Sequence, residues 1–202
     1  MGYHAANIHD PGTAATGSQG IEVKVFWEEI SGCSRAPYWR MKASYFSKDI
    51  REFLKLLSLH HVRYVIVGGE AVIYYGHARL TGDIDIFYDH SYENCKKLYA
   101  ALSDFWQGNI PGIASPDDLT TENLIIQFGL PPHRIDLLST ITAVGFSQAW
   151  KEKVLECIEI ERIEYIIYFI GLQQLIQNKK AVKRHKDSED LEFLTKIEKP
   201  SG

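Results

Sequence analysis

The feature that most constrains this sequence is a glycine pair, Gly68-Gly69, which directly follows the apolar run Tyr-Val-Ile-Val. Glycine is unfavourable inside a strand, so the pair predicts the point at which a strand ends and a helix begins. The free N–H groups of a first helical turn favour a phosphate, and glycine lets a ligand approach the backbone closely. A plain tight turn with a positive φ explains the pair equally well, because short glycine motifs are weak signals. The charge of Glu70 would repel a phosphate, so we expect its carboxylate to point elsewhere.

Two aspartates, Asp83 and Asp85, alternate with isoleucines in a second apolar run. Side chains alternate between the two faces of a strand, so both carboxylates are predicted on one face, opposite the buried isoleucines. Two like charges side by side are costly unless a cation lies between them, and Mg²⁺ is the usual cation where phosphates are present. The alternative is a strand end in solvent, where acids are harmless.

A third acid, Asp136, stands between Ile135 and Leu137 in the same pattern. If its strand lies beside the strand of Asp83 and Asp85, three carboxylates converge. Three acids and a phosphate-binding turn are typical of two-metal phosphoryl transfer, in which one ion activates a hydroxyl and the other holds the triphosphate.

Helical and strand patterns alternate along the rest of the chain, and Ser47 is placed to cap the first helix. A hairpin is expected around the Pro-Pro turn. These features predict an α/β (α+β) fold, with a small mixed β-sheet and helices packed on it. In chain order the prediction is a helix from 48, strand 63–67, helix 70–76, strand 84–88, helix 91–106, loop 108–123, hairpin 124–140, strand residues within 157–170 and two helices within 171–198.

Residues 1–46 are interpreted as an N-terminal extension without a part in the chemistry, and residues 47–202 as the functional domain. One short strand is expected at 21–30, and a natural start at Met41 is the alternative interpretation. The net charge of −4 gives no sign of a chain that coats nucleic acid. No apolar run approaches the ~20 residues of a membrane helix, no leader is recognisable, and the three cysteines form no CxxC motif. A cytoplasmic protein with no membrane partner is therefore expected.

These motifs, in this order, resemble the DNA polymerase beta-like nucleotidyltransferase superfamily, whose signature is Gly-Gly or Gly-Ser, a helix, Asp-apolar-Asp and a later acid. The form of residues 67–87 is most similar to the minimal prokaryotic enzymes, namely the AbiE-type toxin nucleotidyltransferases and relatives of lincosamide nucleotidyltransferase. The resemblance covers residues 47–195. The serine of the commoner Gly-Ser form is missing, which leaves the backbone amides to bind phosphate.

The resemblance implies a nucleotidyltransferase fold and transfer of a nucleoside monophosphate from an NTP, such as ATP, to an acceptor hydroxyl. It implies Mg²⁺, with Mn²⁺ as a substitute, held by Asp83, Asp85 and Asp136, the last also being the base or the activator of the acceptor. The implied acceptor is a tRNA or other RNA end, a protein or a small molecule, and the implied partner is a cognate antitoxin or toxin. The implied nucleotide-binding residues are Gly68, Gly69, Arg79, Thr81 and Lys179.

Two of these residues have a structural alternative. Arg79 can neutralise phosphate charge, or it can form a salt bridge to Asp83 or Asp85 that steadies the turn. Lys179 continues an apolar helical stripe, so it is either a snorkelling lysine or a triphosphate ligand, and it is preferred over Lys180. For the whole chain, the alternative is a catalytically inactive nucleotide-binding antitoxin or regulatory module of the same fold.

Overall fold

The computed structural model describes residues 45–131, 133–183 and 187–198. The N-terminal extension and its expected strand at 21–30 lie outside these residues, apart from Tyr45 and Phe46. Within them the chain forms one six-stranded mixed sheet with α-helices packed on it, which confirms the expected fold class. No helix in this part of the chain combines the length and the apolar character needed to cross a membrane.

The elements follow the predicted order with small shifts at their ends. The helices are α1 (Lys48–Leu59), α2 (Gly68–Tyr74), α3 (Tyr92–Phe105), α4 (Phe146–Lys151), α5 (Leu172–Val182) and α6 (Asp187–Glu198). The strands are β1 (Tyr64–Val67), β2 (Asp83–Tyr88), β3 (Ile125–Phe128), β4 (Arg134–Leu138), β5 (Val154–Ile160) and β6 (Ile163–Phe169).

Helix α1 shows how local sequence sets an element. The Ser47 hydroxyl caps its N-terminus by accepting a hydrogen bond from the backbone N–H of Ile50 at 3.3 Å, as predicted. Its apolar stripe is buried, with Leu54 and Leu57 fully inaccessible. Burial of each leucine contributes about 1.5–3 kcal/mol, so packing rather than propensity stabilises this helix.

The strand order β3-β4-β2-β1-β6-β5 places β2 in the middle of the sheet. Strand β2 is antiparallel to β1 and parallel to β4, while the predicted hairpin of β3 and β4 is present. The expected adjacency of the Asp136 strand and the Asp83–Asp85 strand is therefore confirmed. The turn after β1 opens at the same end of the sheet, because Val67 pairs with Asp85.

Three local features differ from the sequence prediction. The expected loop at 108–123 contains a short 3-10 helix, Pro116–Thr120, and the short helix α4 was not predicted. Cys95 is a buried free thiol, whereas Cys157 is disulfide-bonded, which the spacing of the cysteines did not indicate.

Candidate active site

The three aspartates lie on one face of the sheet. In the parallel pairing of β2 and β4, Asp85 stands opposite Asp136 and Asp83 stands opposite Arg134. Paired residues of neighbouring strands point to the same face, so the strand pattern brings the acids together as the sequence indicated. The alternating residues Ile84 and Ile86 are fully buried on the other face.

Arg134 lies between two of these acids. Its Nη2 donates to Oδ2 of Asp83 at 2.5 Å and to Oδ2 of Asp136 at 2.9 Å, while its Nε donates to Oδ1 of Asp136 at 2.7 Å. The hydrogen bond to Asp136 and the nearby aspartate charges raise the pKa of the guanidinium. The carboxylate charge on this face is therefore balanced by an arginine of the chain itself.

Asp136 is the most enclosed of the three acids, with 5% of its surface exposed. Besides the two bonds from Arg134, it accepts a hydrogen bond from Gln127 on β3, at 3.0 Å between Nε2 and Oδ2. Both of its carboxylate oxygens thus have donors. This satisfies a buried charge that would otherwise be costly.

Gly68 opens α2 with a φ of +64°, the left-handed region that favours glycine. A Cβ atom at this position would overlap the carboxylate of Asp85. The glycine is therefore needed for the backbone of the turn and the Asp85 side chain to approach each other.

Gly69 lies against the segment that precedes β2. A Cβ atom there would lie 2.9 Å from Oγ1 of Thr81 and 4.0 Å from Cζ of Arg79. Thr81 in turn donates to the backbone oxygen of Asp83 at 3.0 Å and lies 3.3 Å from its Oδ1. The second glycine thus lets the segment before β2 pack against the helix start.

Glu70 is a fourth acid of the site. It is buried, and its Oε2 accepts a hydrogen bond from the Tyr45 hydroxyl at 2.7 Å. Burial raises the pKa of the Glu70 carboxyl, the bond from Tyr45 opposes that rise, and the charges of Asp83 and Asp85 add to it. The Tyr45 hydroxyl therefore holds the Glu70 carboxylate, and the charges of Asp83 and Asp85 act on it.

Lys179 is buried, with 6% of its surface exposed, as its position in the apolar stripe predicted. Its ammonium donates to Asp187 at 2.6 Å and to Asp190 at 2.9 Å. Asp190, itself 2% exposed, also accepts a hydrogen bond from Arg79 at 2.5 Å. Arg79 thus forms a salt bridge to Asp190 of α6, whereas the structural alternative named Asp83 or Asp85 as its partner.

A cleft of about 300 Å³ opens beside these groups, at the lower limit of the ~300–1,000 Å³ that is usual for ligand pockets. One end is charged and is lined by Gly68, Asp85, Lys179 and Asp187. The rest is lined by uncharged side chains, among them Asn123. Arg79, Thr81 and the other two aspartates are not among its lining residues.

The donor set fits a magnesium ion that arrives with a triphosphate. Mg²⁺ is usually held by one or two carboxylates together with substrate phosphates rather than by a cage of protein ligands. Asp83 and Asp85 supply such a pair, and Gly68 leaves room for the Asp85 carboxylate. Among the described residues, no three His, Cys, Asp or Glu side chains are arranged to hold one ion by themselves.

Sequence reasoning named the acids, the glycines, Thr81, Arg79 and Lys179, but not their partners. Arg134 shares the strand face of Asp136 by its spacing of two, and this signal could have identified it. Asp187 and Asp190 lie in the first turn of α6, and their carboxylates are buried against Lys179.

Residues 47–198 of the chain match the family described as "Nucleotidyltransferase of unknown function (DUF6036)". None of the curated proteins compared with the chain matches it.

Proposed function

The chain belongs to this family of nucleotidyltransferases, and on that premise we propose that it transfers a nucleoside monophosphate from an NTP to an acceptor hydroxyl with Mg²⁺. The proposal is supported most by the register of β2 and β4, which pairs Asp85 with Asp136 and leaves Asp83 on the same face. A plain interaction module does not require three acids on one face of a strand pair beside a glycine turn.

Asp83 and Asp85 would hold the cation, which supplies charge neutralisation of the triphosphate and activation of the acceptor hydroxyl. The backbone amides that follow Gly68 would bind phosphate oxygens, aided by the N-terminal dipole of α2. Asp136 would activate the acceptor hydroxyl, either as its general base or as a ligand of the activating cation.

Lys179 would contact the triphosphate, because it lines the same cleft as Gly68 and Asp85. Arg79 would add positive charge next to the glycine turn, where its Cζ lies near Gly69. Asp190 holds both cationic groups, so it fixes their positions before a nucleotide arrives.

The acceptor class follows from the subtype that the motifs resemble. For a relative of the AbiE-type toxins we propose an RNA end or a protein side chain, with a cognate antitoxin as partner. For a relative of lincosamide nucleotidyltransferase we propose a small molecule. The uncharged part of the cleft, with Asn123 and Ile125, is open enough for either a nucleoside or an acceptor.

The experiment is incubation of the full chain with each labelled NTP and Mg²⁺, together with total cell RNA, total protein and a panel of small hydroxyl-bearing drugs. Label in one of these fractions, lost in Asp85→Asn, supports the proposal and names the acceptor. Nucleotide binding without label in any fraction would instead favour the inactive nucleotide-binding module.

A further inference from the structure

We propose that Arg134 is a built-in counterion that competes with a divalent cation for Asp83 and Asp136, so that the cation is taken up with the nucleotide and not before it. The inference rests on the proposed function, because it concerns the same cation site. It adds a residue outside the three-acid pattern, Arg134, that determines when the cation binds.

Arg134 makes hydrogen bonds to carboxylate oxygens of Asp83 and Asp136 that a cation would otherwise bind. Its guanidinium takes Oδ2 of Asp83 and both oxygens of Asp136. The other oxygen of Asp83 lies 3.3 Å from the Thr81 hydroxyl. A cation can therefore bind Asp136, or bind Asp83 through Oδ2, only if it displaces or shares the guanidinium.

The charge of Arg134 cannot be removed by deprotonation, because a guanidinium stays protonated in proteins. A divalent cation that approaches the two carboxylates alone meets this fixed positive charge and is repelled by it. An NTP brings several negative charges and further oxygen ligands at the same time. Once a cation has bound the two carboxylates, they no longer neutralise the charge of Arg134. The phosphates of the NTP can supply the negative charge that is then missing.

The proposal has a thermodynamic consequence that can be measured. If the nucleotide relieves the conflict between Arg134 and the cation, each of the two ligands must increase the affinity of the other by the same factor. Removal of the guanidinium charge should raise the cation affinity of the nucleotide-free chain and reduce this coupling factor.

The experiment titrates Mn²⁺ into the full chain by calorimetry, with and without a nonhydrolysable ATP analogue. Arg134→Gln is expected to bind Mn²⁺ at least about tenfold more tightly than wild type without nucleotide, ~1.4 kcal/mol in binding free energy. Arg63→Gln is the matched control, because Arg63 pairs with Asp89 at 2.9 Å but does not contact the acids of the site. Its Mn²⁺ affinity should equal that of wild type.

Arg134→Lys provides a second variant if the glutamine variant does not fold. A lysine ammonium keeps the charge but not the planar fork that bridges two carboxylates, so a smaller gain in Mn²⁺ affinity is expected. Wild-type Mn²⁺ affinity in the folded Arg134 variants overturns the inference. So does a coupling factor that these variants leave unchanged.

Failure of the inference can be told apart from failure of the proposed function. If the wild-type chain transfers label but the Arg134 variants bind Mn²⁺ like wild type, only the proposed role of Arg134 is refuted. If Arg134→Gln binds Mn²⁺ more tightly but the wild-type chain transfers no label, the counterion role of Arg134 is supported and the proposed transferase activity is refuted.

Discussion

Substitution of Gly68 tests the link between the glycine turn and the acids. Alanine at a φ of +64° is strained by about 1–2 kcal/mol, because left-handed backbone brings Cβ against the carbonyl. Its Cβ would also overlap the Asp85 carboxylate, and turning that side chain off its rotamer costs a further ~0.5–1.5 kcal/mol. Gly68→Ala should therefore lower the free energy of unfolding by about 1.5–3.5 kcal/mol, or ~3–14 °C in melting temperature for a chain of this size.

Gly112→Ala is the matched control. Gly112 has a similar φ of +74°, but a Cβ there meets nothing within 4 Å. It should show only the backbone strain of ~1–2 kcal/mol and keep the full stabilisation by Mg²⁺ and a nonhydrolysable NTP. Gly68→Ala should lose that stabilisation, because Asp85 is displaced. Both quantities are measured by thermal denaturation with and without ligand. Equal ligand stabilisation in the two variants would refute the argument that Gly68 makes room for a cation-binding carboxylate.

Three further predictions test the charged groups. Asp85→Asn should abolish the gain in melting temperature from Mg²⁺ and a nonhydrolysable NTP, because the variant loses a cation-binding carboxylate, and Asp83→Asn should in addition lose apo stability because it gives up an arginine hydrogen bond; an undiminished gain in Asp85→Asn would contradict its role as a cation ligand. Asp136→Asn should keep most of the NTP affinity but lose label transfer ~10³-fold or more, and wild-type transfer would contradict the three-carboxylate site. Lys179→Met leaves two buried aspartates short of a partner and should lower the free energy of unfolding by ~3–5 kcal/mol, against ~0.5 kcal/mol for Lys180→Met at the exposed neighbour; equal losses in chemical denaturation would show that the buried pairs are weak.

The residues that sequence reasoning predicted are those whose pattern is local. Asp83 and Asp85 are two residues apart among isoleucines, which fixes their common face whatever lies around them. Gly68 is unfavourable in a strand and therefore marks the turn. Lys179 follows three apolar residues at helical spacing, so its burial could be predicted without knowledge of its partner.

The residues that were missed depend on contacts between distant elements. Asp190 fits the first turn of a helix equally well in solvent or in the interior, and only the packing of α6 on α5 decides between the two. Glu70 is buried and accepts a hydrogen bond from the Tyr45 hydroxyl, 25 residues earlier, and the helical pattern around Glu70 does not reveal this partner. Arg79 could have paired with several acids, and its choice of Asp190, 111 residues away, follows from the tertiary fold alone.

The two charged parts of the site are each balanced by a group of opposite sign. Arg134 supplies positive charge among the acids of β2 and β4, while Asp190 supplies negative charge between Lys179 and Arg79. On the proposed function, a bare cation would be attracted by the acids of the first part but repelled by Arg134, and a free polyphosphate would be attracted by Lys179 and Arg79 but repelled by Asp187 and Asp190. A ligand that carries both signs would be held by both parts at once. We therefore expect these ion pairs to favour a cation–nucleotide complex over either component alone.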